Sequence, residues 1–212
     1  MTSLEKETIK KALDKALEQA RKQGKLSLNS SHRYIIFSDH HKGARNNEDD
    51  FWRCEPAYQE ALDYYLKNQY TLIVLGDAEE LWEEEDPEPV LKAYENILKG
   101  EALFHPDRYI RIYGNHNEKW ISEKEVKKYL DSFFPNIKFK EGLVFEFSDG
   151  NGAGGEIFLV HGHQGTLDSD KFSKFSKLIV RNVWRPFQRL TGLGRETPAT
   201  DVCLRGEHDT VM

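Results

Sequence analysis

Cysteine is nearly absent from this chain of 212 residues, which has two, Cys54 and Cys203. They lie far apart and match neither a zinc-ligand spacing nor a disulfide framework, which suits a reducing, cytoplasmic setting. Long hydrophobic runs are missing as well. No apolar stretch approaches the ~18–20 residues needed to cross a bilayer, and no signal peptide opens the chain. Positive charge is not in excess: 30 Lys and Arg stand against 36 Asp and Glu, a formal net charge of −6. Such a balance gives nucleic acid and anionic lipid no general attraction, so there is no strong nucleic-acid signal. Internal repeats and low-complexity tracts are lacking too.

What is present is the material of a folded domain. Hydrophobic residues make up 38% and aromatics 12%, which over this length supports a domain with its own core. Residues 2–23 read as a helix, with Thr2 and Glu5 at capping-box spacing and Gly24 at its end. A short buried strand follows at 33–38, "RYIIFS". Residues 55–68 read as a helix with Pro56 in its first turn. Further strands are expected at 72–75, 109–113, 143–147 and 157–160, the last two divided by the turn "SDGNGAGG". Further helices are expected at 89–98, 123–134 and 172–190. Strands alternating with helices predict an α/β protein. The organisation reads as an N-terminal helix at 1–30, a core at 31–165 and a helical, cap-like segment at 166–212.

Four of these strands end in the same manner. "IIFSDHH" delivers Asp39, His40 and His41. "LIVLGD" delivers Gly76 and Asp77. "IRIYGNHN" delivers Gly114, Asn115 and His116. "IFLVHGH" delivers His161, Gly162 and His163. In open α/β sheets, ligand sites lie beyond the carboxyl ends of the strands, so these groups can converge. A lone histidine at a strand end is ordinarily a satisfied polar residue, and Asp after Gly is ordinarily a turn. Four strand ends carrying Asp, His, Asn and Gly together form a pattern that neither explanation covers. The set suits hard-to-borderline divalent metals, and no thiolate takes part, which argues against structural zinc. The glycines permit tight turns and close approach to a bound group.

At these residues the chain resembles the calcineurin-like metallophosphoesterases, whose blocks read D-x-H, G-D-x-x-(D/E), G-N-H-(D/E) and H-G-H or H-G-D. Here they are Asp39-His40-His41, Gly76-Asp77-Ala78-Glu79-Glu80, Gly114-Asn115-His116-Asn117 and His161-Gly162-His163. The third departs at its last position. The resemblance covers about residues 33–190. It implies a four-layered α/β/β/α sandwich and a site for two divalent ions, Mn²⁺ first, with Fe, Zn or Mg as alternatives. It also implies roles. Asp39 and His41 would hold one ion, Asp77 would bridge both, and Asn115 and His161 would hold the other. His116 would act on the leaving group. Apart from the resemblance, Glu80, just beyond Asp77, reads as a partner that orients a ligand histidine. "GDAEELWEEEDPEP" and "HGHQGTLDSDKFSKFSKLIVRNVW" are similar to blocks of the UDP-diacylglucosamine diphosphatases. The chain departs from that branch at His116 and His163. This similarity marks Asp170 and Asn115 as substrate contacts.

The chemistry accounts for such residues. A phosphate ester is anionic and repels nucleophiles; two metals ~3.5–4 Å apart neutralise its oxygens and bring the pKa of water towards 7. A carboxylate between two cations is a natural bridge, and Asn adds a ligand without charge. A histidine titrates near neutrality and can serve as an acid. The expected reaction is hydrolysis of a phosphoric ester or anhydride, by a phosphatase, phosphodiesterase or diphosphatase on a small or nucleotide–lipid substrate. Alternatives are a non-catalytic binding module on the same fold and a phosphoprotein phosphatase.

Four features stand apart. The family's last block, G-H-x-H, has no match; the expectation is a C-terminally shortened segment lacking its final strands and ligands, with His208 as the alternative ligand. Residues 172–190 place Lys174, Lys177, Arg181, Arg185 and Arg189 on one helical face, opposite an apolar one. That face is either a solvated side of an ordinary helix or a cap whose cations, Lys174 and Arg181 among them, hold a second phosphate or dock on a membrane surface. The acidic run 79–86 reads as a solvated loop, and His40 as orienting or solvent-facing. Neither substrate nor oligomeric state is legible.

Overall fold

The computed structural model describes residues 3–46, 49, 51–82, 86–148 and 154–164. Thr2, Asp170, Lys174, Arg181, His208 and the expected helix at 172–190 lie outside the described residues.

Helix α1 (Ser3–Lys22) ends where Gly24 takes a φ of +98°, a left-handed conformation that suits glycine. Strands β1 (Leu26–Leu28) and β2 (Tyr34–Phe37) follow, then helix α2 (Glu55–Lys67). Pro56 sits in the first turn of α2, and Tyr58 and Leu62, four residues apart, bury its inner face. After strand β3 (Thr71–Leu75), one expected helix is two: α3 (Glu88–Ala93) and α4 (Glu95–Ala102). The break falls at Tyr94, which is buried and donates its hydroxyl to Asp49 at 2.6 Å. Strand β4 (Tyr109–Ile112) and helix α5 (Glu123–Tyr129) come next; α5 stops short of the expected 134. Ser122 caps α5 by accepting from the Glu125 amide. Strands β5 (Phe139–Lys140), β6 (Gly142–Ser148) and β7 (Gly154–Val160) complete the described chain.

The strands form two sheets. One runs β2-β3-β4-β5, parallel throughout. The other runs β1-β6-β7, with β1 parallel and β7 antiparallel to β6. The chain is therefore a mixed α/β protein, as the alternation of elements implies.

The central strand explains how the layers meet. In β3 the side chains alternate between faces. Leu72 and Val74 join the large core with residues of α2 to α5, while Ile73 joins Ile112, Leu143 and Phe145 in a second core where the sheets meet. Because both faces are covered, "LIVL" is apolar throughout rather than alternating. On the other face of β6 Val144 is fully buried, and α1 lies along that strand with Ala16 and Ala20 buried. The strand ends that carry the chemistry belong to both sheets: β2, β3 and β4 of the parallel one and β7 of the other.

Candidate metal centre

The ends of β2, β3 and β4 are laced together beyond the sheet. The Gly76 amide donates to the Ile112 carbonyl at 3.0 Å and the His41 amide to the Asp77 carbonyl at 2.8 Å. Lys42 is bonded on both sides across the same gap: its amide donates to the Ala78 carbonyl and its carbonyl accepts the Glu80 amide, each at 3.0 Å. The Leu81 amide donates to the His116 carbonyl at 3.1 Å. These bonds hold three short turns at fixed spacing.

The turns are bent unusually. Among the described residues six non-glycine residues have positive φ, and three are Asp39, His41 and Asp77, at 55°, 48° and 44°. Such conformations are uncommon outside glycine, and they gather where a surrounding structure over-determines a functional geometry. Two glycines make room for what the turns present. A Cβ on Gly76 would lie 2.2 Å from His161 Nδ1, and one on Gly114 would lie 2.2 Å from Asp77 Oδ1. The close approach expected of these glycines is thus to the His161 ring and the Asp77 carboxylate themselves.

The result is a cluster with one shared member. Ligand atoms of His41, Asp77 and His116 lie within 4.8 Å of one another, and so do those of Asp39, Asp77 and His161. Asp77 is buried, its backbone held as above and its carboxylate held twice. Oδ1 accepts the His116 amide at 2.9 Å, and Oδ2 faces His161 Nε2 at 3.0 Å. The other nitrogen of His161, Nδ1, faces the Leu75 carbonyl at 3.2 Å, which turns Nε2 into the cluster. His41 Nε2 lies 3.8 Å from Asp77 Oδ2 and 3.9 Å from Asp39 Oδ1. Asn115 occupies the turn between Gly114 and His116, and its carbonyl accepts the Trp82 indole N–H.

Glu80 binds the two remaining histidines. Its Oε2 faces His41 Nδ1 at 2.9 Å and His116 Nδ1 at 2.6 Å. Trp82 stacks on the His116 ring with centroids 4.3 Å apart and planes 14° from parallel. His116 is thus fixed on one nitrogen and one face. The run 79–86, read from sequence as a solvated loop, departs from that reading in its first half: Glu79, Glu80, Leu81 and Trp82 are all buried, while Asp86 is exposed. The apolar Leu81 and Trp82 drive that burial, and the carboxylates find donors beneath and within the site. His40 is not solvent-facing either. Its ring nitrogens are buried, 4.4 Å ring to ring from Tyr58 and 5.2 Å from Phe51. Burial there drives its pKa down to about 3, so it is a neutral aromatic packing element. His163 lies near the His161 ring, at 5.6 Å between centroids.

The electrostatics mark a site built around positive charge. Burial works against ionisation of Asp77, yet the His161 hydrogen bond and the nearby His116 and His41 hold its carboxyl below the usual range. Glu80 is brought down to about 2: burial opposes, and the hydrogen bonds from His116 and His41 prevail. Burial pulls His41 and His161 down, but Glu80 for the first and Asp77 for the second raise both above 6.5. The carboxylates thus favour positive charge at the place where a cation would bind.

The donors fit divalent ions. They mix carboxylate oxygen with imidazole nitrogen, one carboxylate belongs to both groups, and the histidines are oriented from behind by Glu80 and a carbonyl. Sequence reasoning assembled Asp39, His41, Asp77, Asn115, His116 and His161 at one place; the structure brings Asp39, His41, Asp77, His116 and His161 together, with Asn115 in the turn beside His116. It missed Trp82 as a platform for His116, and Glu79, Lys42 and Arg111 beneath the site. The arginine inside the apolar strand "YIRIY" was the available signal.

Comparison with family profiles, curated proteins and solved structures finds no match for this chain.

Proposed function

We propose that the protein is a dinuclear metal-dependent hydrolase of phosphoric esters or anhydrides, built as a four-layered α/β/β/α metallophosphoesterase sandwich. The observation that carries this reading is the shared position of Asp77 in both ligand groups, at the common end of β2, β3, β4 and β7. Asp39 and His41 would hold one ion, Asn115 and His161 the other, and Asp77 both. Mn²⁺ is the ion best suited to this mixture of oxygen and nitrogen donors, with Fe, Zn and Mg as alternatives. When bound, the ions supply neutralisation of phosphate charge and a lowered pKa of water.

The chain's own residues would do the rest. Glu80 holds His116 through Nδ1, which leaves Nε2 to carry the proton towards a leaving oxygen. Trp82 and the turn bonds keep that ring from rotating. The half-buried setting of His41 and His116 limits water around the reacting groups. A small phosphorylated substrate is the expected partner, and the cytoplasm the expected setting; among the described residues no helix is long and apolar enough to cross a membrane.

A panel of chromogenic phosphate mono- and diesters with added Mn²⁺ tests the reading. Turnover should appear, and His116→Ala should lower kcat by roughly 10²–10⁴ while keeping both metals. The loss should be smaller for nitrophenolate leaving groups than for alkyl ones. Loss of metal in that variant would make His116 a ligand, a role its place in the His41–Asp77 group also permits. Metal binding with no turnover on any ester or anhydride would favour the binding-module alternative.

A further inference from the structure

Beneath the candidate ligands lies a buried charged cluster that the chemistry above leaves unused. Lys42, Glu79, Glu101 and Arg111 are each at most 1% exposed. Arg111 Nη2 reaches both Glu79 oxygens, at 2.7 and 2.6 Å. Lys42 Nζ reaches Glu101 at 3.1 Å and lies 3.7 Å from Glu79. Two cations face two anions, so the cluster is neutral. Burying four charges is a weak route to stability, and apolar residues of similar volume often do as well. Their position says more. Lys42 follows His41, Glu79 lies between Asp77 and Glu80, and Arg111 precedes Gly114 on β4.

Asn117 links this cluster to the turn above it. Its Oδ1 accepts the Gly114 amide at 2.7 Å, closing the turn that carries Asn115 and His116. Its Nδ2 donates to Glu79 Oε2 at 3.2 Å, and the Trp120 indole donates to the same oxygen at 2.9 Å. Asn117 is fully buried. The amide is the one side chain of this shape that can accept at Gly114 and donate to Glu79 at the same time without adding charge. A carboxylate at 117 would keep the first bond, set two anions at contact distance and leave the cluster at −1.

We propose that Glu79 and Asn117 form a lock that positions the His116 turn against the Asp77 strand end. As a device for setting the distance between two metal ions it rests on the phosphoesterase reading; as a lock on the turn it does not. Glu79 and Asn117 are positioning residues, since neither touches the reacting groups.

The test separates these two levels. Amide hydrogen exchange is measured on the metal-free chain at Gly114 and at His116, whose N–H is held by Asp77. Glu79→Gln and Asn117→Asp should each speed both amides by roughly tenfold or more, as loss of a buried charge-assisted contact implies. The double variant E79Q/N117D restores neutrality and a donor–acceptor pair, so it should exchange more slowly than either single variant. Tyr58→Phe is the control: it removes the 3.1 Å bond to Glu101 in the same cluster and should leave both amides unchanged. Equal exchange in Glu79→Gln and Tyr58→Phe, or a double variant as fast as the two single effects combined, overturns the lock. Mn²⁺ titrations of the same proteins are then compared. Two-ion affinity should fall in both single variants, recover in part in the double, and hold in Tyr58→Phe. If the unaltered chain takes up no Mn²⁺, the metal reading fails while the exchange data still decide the lock.

Discussion

Replacing Gly114 by alanine is a sharp perturbation of the site, because the backbone there is not left-handed and only space forbids a side chain. The added Cβ would fall 2.2 Å from Asp77 Oδ1 and 2.7 Å from His161 Cδ2, where contacts under 3.0 Å are essentially never seen. The carboxylate must therefore retreat by about 0.8 Å, the difference between 3.0 and 2.2 Å. It has little freedom to do so, since the His116 amide and His161 Nε2 hold its two oxygens. Overpacking of this kind costs about 1–3 kcal/mol of stability. The larger effect is on chemistry, because a misplacement near 1 Å can cost ~10²-fold in rate. Calorimetric Mn²⁺ titration should show both binding steps weakened together, and ester hydrolysis should fall by about two orders of magnitude. Gly24→Ala is the matched control. It meets nothing within 4 Å but sits at φ +98°, so it should cost about 1 kcal/mol in thermal unfolding and leave metal uptake unchanged. If Gly114→Ala binds two ions with unaltered affinity, Asp77 is not the shared ligand.

Other outcomes follow from the same geometry. His41 and His161 hold protons above 6.5 in the metal-free chain, so metal must displace those protons; affinity should rise with pH through the region just above 6.5, with proton release detectable in weakly buffered solution. Glu80, lowered to about 2 from an ordinary 4.5, contributes stability that is complete above 4.5 and lost as pH falls from there through about 2; acid unfolding of Glu80→Gln should lack that part of the slope. The same variant should also loosen the His116 ring, whose Nδ1 Glu80 holds, so kcat should fall more for alkyl than for nitrophenolate leaving groups.

Much of the scaffold was legible in the residues alone. The apolar runs of β2, β3 and β4 end in glycine or in short polar side chains, and that change of character marks both the strand boundary and the site. Topology then did what sequence suggested, because parallel strands bring their carboxyl ends to one edge. The two shortest strands, β1 and β5, were not foreseen. At three and two residues they carry no periodicity and owe their shape to the edges they pair with. The helix expected at 89–98 breaks because Tyr94 turns inward to Asp49, a tertiary bond invisible in local pattern. The acidic run beginning at Glu79 was misread for the same reason. Carboxylates look solvated until Arg111, Trp120 and Asn117, 32, 41 and 38 residues away, are brought beneath them. An arginine at the centre of an apolar strand needs a buried counter-charge, and Glu79 is that counter-charge.

Elemental analysis of the purified chain loaded with Mn²⁺, beside Asp77→Asn, tests the central claim most directly. The account predicts two equivalents in the first and loss of both in the second, since the amide cannot serve as the anionic bridge. Retention of both ions by Asp77→Asn would contradict it.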